Sequence, residues 1–248
     1  MVRALMRTAL LTLVLLGCSG PSGSPLPDGA VRPDAAPDVA TDTPAAFGTL
    51  SGMCGVLAQM QLTGTTPQLY RDTLTFSRAF VDPQDRPLLT VGGQHLAATP
   101  NAGGSSGLSE VFAYEELERC EHAMLLKTET EIGYDTAGKI TDLEVAISGH
   151  KLGVSVTRAV AYPFGQPYTL TAASTLITRK LQDIQASTAN VSAADRWEKQ
   201  ILAVLAWDDQ AADIVAQAWG AADAQTKADT IVVLTVTSGD DQFIYTNQ

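Results

Sequence analysis

KITDLEVAISGHKLGVSVT, residues 139–157, is the stretch from which the rest of the chain is read. Leu143, Val145 and Ile147 alternate with Asp142 and Glu144 on the other side, the period-two pattern of a strand with one buried face. Gly149 to Lys151 makes a turn. From Leu152 the alternation resumes, with Val154 and Val156 apolar and Ser155 and Thr157 opposite them, so a strand over 152–161 is expected. Upstream, 125–134 alternates in the same way and 135–138 is a turn, which makes 139–148 the middle of three successive strands.

Ser106 is placed to cap a helix running to about Met124, with Val111, Tyr114, Leu117 and Cys120 or Glu121 on one stripe. Downstream, Ala173, Leu176, Ile177, Leu181 and Ile184 recur at helical spacing over 169–187. Ser192 and Asp195 form a capping pair before a segment in which Trp197, Ile201, Val204 and Leu205 fit a second helix. A third helix is expected over 208–219, then a buried strand over 229–237, a turn at 238–241 and a last short strand over 242–245. The implied fold class is α/β (α+β): a mixed sheet flanked by helices, with core order helix, strand, strand, strand, helix, strand. Residues 47–105 read as a separate N-terminal lobe before a core at 106–248. In that lobe Leu50, Met53, Leu57 and Met60 fit helical spacing, Leu74, Phe76 and Phe80 fit alternation, and 82–87 is a turn.

The chain has 248 residues, 45% of them hydrophobic, enough for one sizeable core. Its formal charge is -11, and from Phe47 onward 13 basic side chains face 23 acidic ones. An acidic surface repels phosphate backbones, which disfavours nucleic acid as a partner. Arg3 and Arg7 precede an apolar run over 9–16 that is too short to span a bilayer, and Leu15-Leu16-Gly17-Cys18 closes it. This N-terminus resembles the signal peptide and lipobox of bacterial lipoproteins. The resemblance implies cleavage after Gly17, a lipid on Cys18, the bilayer as a partner and an address in the cell envelope. With Ser19 after the cysteine, that address is the outer membrane in a Gram-negative cell. Residues 19–46 hold six of the twelve prolines and no aromatic side chain. Such a segment reads as a disordered tether reaching about 30 Å or more. With Cys18 acylated, Cys54 and Cys120 remain in an oxidising compartment, and a disulfide between them is expected.

The order of elements in 106–237, with Glu110 on the first helix and Asp142 on the second strand, resembles the core of the PD-(D/E)XK nuclease superfamily. The resemblance implies that Asp142 holds a divalent metal, Mg²⁺ or Mn²⁺, with Glu110 nearby. Ser155 and Thr157 stand where that family has the Glu and the Lys of its Glu-x-Lys. Two replacements are available: Glu144 on the face of Asp142, and Lys180 on the following helix. The lost motif and the acidic balance favour a non-catalytic binding or assembly module, with envelope proteins as partners. The alternative is a metal-dependent phosphodiesterase using Glu110, Asp142, Glu144 and Lys180. Other motifs carry less. Gly103 to Gly107 matches G-x-S-x-G but follows Thr99-Pro100-Asn101 rather than a strand. Ser148-Gly149-His150-Lys151 falls in a turn, and His95, His122 and His150 lack zinc spacing.

Overall fold

A computed structural model describes residues 46–101 and 107–246. The expected signal peptide, Cys18, nearly all of the expected tether and Ser106 with most of its Gly/Ser loop lie outside these residues. The strands are β1 (Thr49–Gly52), β2 (Gln68–Phe76), β3 (Met124–Thr128), β4 (Leu143–Ile147), β5 (His150–Ala159), β6 (Lys199–Ala206) and β7 (Ile231–Gly239). The helices are α1 (Gln59–Thr63), α2 (Val91–Ala98), α3 (Gly107–Glu121), α4 (Leu170–Asn190), α5 (Asp209–Ala221), α6 (Ala224–Lys227) and α7 (Gln242–Thr246). All seven strands form one mixed sheet in the order β1-β2-β7-β6-β5-β4-β3. β2, β7, β6 and β5 run parallel, while β1 at one edge and β4 and β3 at the other are antiparallel to their neighbours.

Helices cover both faces. Leu202, Val204, Val232, Leu234 and Val236 pack with Ala173, Ile177 and Leu181 of α4 and Val215 of α5. The alternate residues Val154, Val156, Ile201, Ala203, Ile231 and Val233 pack with Val111, Phe112 and Leu117 of α3 and with Ile244 of α7. Among the described residues no helix is long and apolar enough to cross a membrane.

The middle of the chain follows the pattern of its residues. β4 pairs with β5 from Leu143↔Val154 to Ile147↔His150, with the turn at Ser148 and Gly149, both at positive φ. Thr169 caps α4 and Asp208 caps α5 through side chains that accept backbone N–H bonds. The first expected strand is shorter than its alternation. The Glu131 carboxylate accepts the Thr128 N–H at 2.9 Å and the Glu131 N–H bonds the Thr128 carbonyl, which turns the chain out of the sheet.

Three expectations are corrected. The segment with Trp197, Ile201, Val204 and Leu205 is not a helix: Ser192 Oγ accepts the Asp195 N–H at 3.3 Å, but the chain then extends into β6. All eight residues of β6 are buried, because strands lie on both sides of it and helices on both faces. Such a strand loses its period of two. The expected strand at 242–245 is helix α7, whose Phe243, Ile244 and Tyr245 are all buried, with the Tyr245 hydroxyl 2.7 Å from that of Thr237. Residues 47–105 do not pack as a lobe apart. β2 pairs with β7 over nine residues, and the described residues belong to one compact unit.

α3 fastens this early segment. Ser109 to Leu117 are buried, three acids included. Glu115 accepts the Thr90 N–H at 2.8 Å and its hydroxyl at 2.7 Å, and Glu121 accepts the amides of Gly55, Val56 and Leu57. Arg119 donates to the Phe47 and Gly48 carbonyls at 3.0 and 2.9 Å. Cys54 and Cys120 form a disulfide with Cα atoms 4.5 Å apart.

Candidate functional site

The site is built where β4 stops and β5 continues. Their pairing reaches only Leu143↔Val154, so the Val156 backbone has no β4 residue beside it. Asp142, one residue before β4, fills that side: its Oδ2 accepts the Val156 N–H at 2.6 Å. Lys180, arriving from α4, donates its ammonium to the Val156 carbonyl at 3.0 Å. A carboxylate and an ammonium thus satisfy the N–H and the C=O of one residue that the sheet leaves open, as buried backbone groups require. Ser155 and Thr157 lie on the opposite sheet face from Leu143, Val154 and Val156, which point into the core around α3.

Burial pushes the Asp142 carboxyl up to about 6. The Lys180 ammonium is the largest influence in the opposite direction, followed by the Val156 amide, and the Glu129 carboxylate adds an upward push.

Glu129 also lines a cavity of about 210 Å³, together with Glu110, Asp82, Asn101, Thr99 and Thr128. Glu110 is buried there and accepts a hydrogen bond from Asn101 Nδ2 at 3.0 Å. Glu129 thus lines the cavity that Glu110 also lines and is close enough to Asp142 to act on its charge. Among the described residues no Lys or Arg lines this cavity.

Glu144 lies on the same strand face as Asp142 but is engaged elsewhere. Its Oε1 is 2.8 Å from Lys151 Nζ, and its carboxylate is buried. Ser155 and Thr157 stand beside Leu202 and Val204 of β6, on the side packed by α4. Of the residues singled out in the sequence, Asp142 and Lys180 meet, Glu110 stands across the Glu129 cavity, and Glu144 is taken by Lys151. Glu129 was missed as a site residue. Nothing in the run Lys127 to Glu131 distinguishes it from the other polar side chains. The part played by Val156 is invisible in sequence because its backbone, not its side chain, takes part.

His95 and His122 meet in a second cavity of about 660 Å³, with Tyr114, Glu118 and Glu131. His150 instead pairs with Glu198 at 2.8 Å. Among the described residues no group of three His, Cys, Asp or Glu is gathered to hold a metal ion.

No family model matches the chain. It is similar to the AAC-rich mRNA clone AAC4 protein of Dictyostelium discoideum, 41% identical over 151 residues, which are 58% of this chain and 22% of that protein. The chain thus spans about a fifth of that relative's length. Among solved structures, that of Pyrococcus furiosus SfsA in complex with Ca²⁺ aligns with a TM-score of 0.28 at 11% identity, covering 53% of this chain and 55% of that one.

Proposed function

We propose that the chain is a lipid-anchored protein of the bacterial cell envelope, and that its α/β domain retains a nuclease-like outline as a non-catalytic binding or assembly module. The observation that carries the non-catalytic reading is the Lys180 ammonium on the Val156 carbonyl, with Asp142 on the amide of the same residue. A divalent ion beside Asp142 needs further oxygen donors at about 2.0–2.6 Å. Here the neighbouring carbonyl already accepts from an ammonium, Ser155 stands in place of a carboxylate, and Glu144 is neutralised by Lys151. The residues present do not fit a metal. The acidic balance of the domain, 23 acidic against 13 basic side chains, adds a second obstacle, because an approaching polyanion meets like charge.

One observation favours the competing reading, a metal-dependent phosphodiesterase: α4 delivers Lys180 to the Val156 carbonyl, beside the amide that Asp142 holds, as a lysine replacing the one lost at 157 would have to be delivered. The test is incubation of the protein with single- and double-stranded DNA and RNA in Mg²⁺ or Mn²⁺, beside Asp142→Ala and Lys180→Ala. The expected result is cleavage no faster than buffer in all three. Turnover abolished by both substitutions would make the phosphodiesterase the right reading.

A further inference from the structure

A third cavity lies at the opposite end of β5 from its turn with β4. Its volume is about 280 Å³, and it opens between the loop after β5 and the start of α5. β5 and β6 are parallel neighbours, and the crevice beyond the C-terminal ends of such strands is where open α/β sheets place ligands. Phe164, Tyr168, Trp207, Asp208 and Gln210 line it.

The aromatic side chains hold one another in place. Phe164 packs on Trp207 with ring centroids 5.4 Å apart, Tyr162 on Phe164 at 4.8 Å, and Trp207 on the buried Tyr245 at 5.0 Å. The Tyr162 hydroxyl donates to the Tyr245 carbonyl, which anchors the outer end of the row. Asp208 accepts the Ala211 N–H at 2.7 Å through Oδ1, so its position is fixed by the helix it caps. Its charge offsets the partial positive charge of the first turn of α5. Among the described residues no Lys, Arg or His lines the cavity.

Three aromatic rings, one carboxylate and no cation exclude an anion and suit a positive charge spread over an apolar hull. A bare metal ion would find one carboxylate and too few further oxygens. We propose that this cavity binds a methylated ammonium group, with choline as its simplest carrier: Phe164, Tyr168 and Trp207 surround the cation and Asp208 balances it. The cavity is separate from the Asp142 and Lys180 site.

Calorimetric titration tests this with choline, tetramethylammonium and the neutral isostere 3,3-dimethylbutanol. Saturable binding of both cations is expected, with the isostere weaker by about tenfold or more. Asp208→Asn keeps the helix cap, since Asn caps as well as Asp, and Phe164→Leu keeps apolar volume while removing the ring. Each is expected to weaken choline binding about three- to thirtyfold, with thermal unfolding unchanged. Glycerophosphocholine identifies the source: binding as tight as choline points to a lipid headgroup, and markedly weaker binding points to a free solute. The proposal is overturned if neither cation saturates, if the isostere binds as tightly as choline, or if Asp208→Asn leaves affinity unchanged.

Discussion

Asp142 joins two roles that pull against each other. Its carboxylate oxygen completes the backbone of Val156, and its burial penalises the charge on that same group. The ordinary aspartate value is about 3.9, and burial pushes this carboxyl up to about 6. A folded-state value above the unfolded one means that the protonated form is the better folded form. The stability this confers is complete below about pH 4 and is lost as pH rises through about 6. Asp142→Asn retains an acceptor for Val156 and cannot ionise. Measured by urea unfolding, the variant is therefore expected to gain on the wild type as pH is raised from 4 to 7. A difference that stays flat over that window would contradict this assignment. Lys180 acts in the opposite sense, so Lys180→Met should move the Asp142 midpoint upward in a carboxyl-carbon NMR titration. A downward movement would mean that the ammonium does not act on Asp142.

Among the elements, α3 is tied at its far end to the segment before β2 by the Cys54–Cys120 bridge, three amide bonds to Glu121, and Arg119. The bridge spans a sequence separation of 66 residues, and in the chain-entropy model a loop of that size stabilises by ~4 kcal/mol. Reduction, or Cys120→Ala, is expected to lower the urea-derived unfolding free energy by about that amount. A change below about 1 kcal/mol would mean that Glu121 and Arg119 alone secure the segment. How legible an element was depended on how many of its sides are covered. β4 has a turn on either side and acidic residues on one face, so Leu143, Val145 and Ile147 stand out. α4 exposes a full polar stripe, so Ile177, Leu181 and Ile184 do too. β6 has no exposed residue, and its run from Lys199 to Ala206 fits a helix as well as a strand. β2 carries Tyr70, Arg71, Asp72 and Thr73, and its polar residues are accommodated by other elements, such as Asp209 and Asp213 of α5 around Arg71. That long-range pairing leaves no local signal. The site divides the same way: Asp142 and Lys180 were visible as side chains at the right elements, whereas Glu129 depends on how the chain turns after Thr128.

At the scale of the whole chain, the proposed anchor and the folded domain are separate in sequence. The domain carries 23 acidic and 13 basic side chains, so attraction to anionic headgroups would not hold it at a membrane. Attachment on this reading is hydrophobic and rests on one thiol, that of Cys18. A single acyl chain binds a bilayer only reversibly, whereas the two chains of a diacylglycerol bind stably. The prediction is therefore sharp. Labelled palmitate should enter the wild-type chain and not Cys18→Ala, and the wild type should stay with the membrane fraction through a high-salt wash that strips electrostatically bound proteins. Cys18→Ala tests the anchor without touching the domain, because its only change lies ahead of the 28 residues, 19–46, that precede Phe47. Its unfolding midpoint should equal that of the wild type, which separates loss of the lipid from loss of the fold. A mature N-terminus at any residue other than Cys18, or palmitate retained in Cys18→Ala, would show that the Leu15-Leu16-Gly17-Cys18 run is not a lipobox and would remove the envelope anchor from the proposed function.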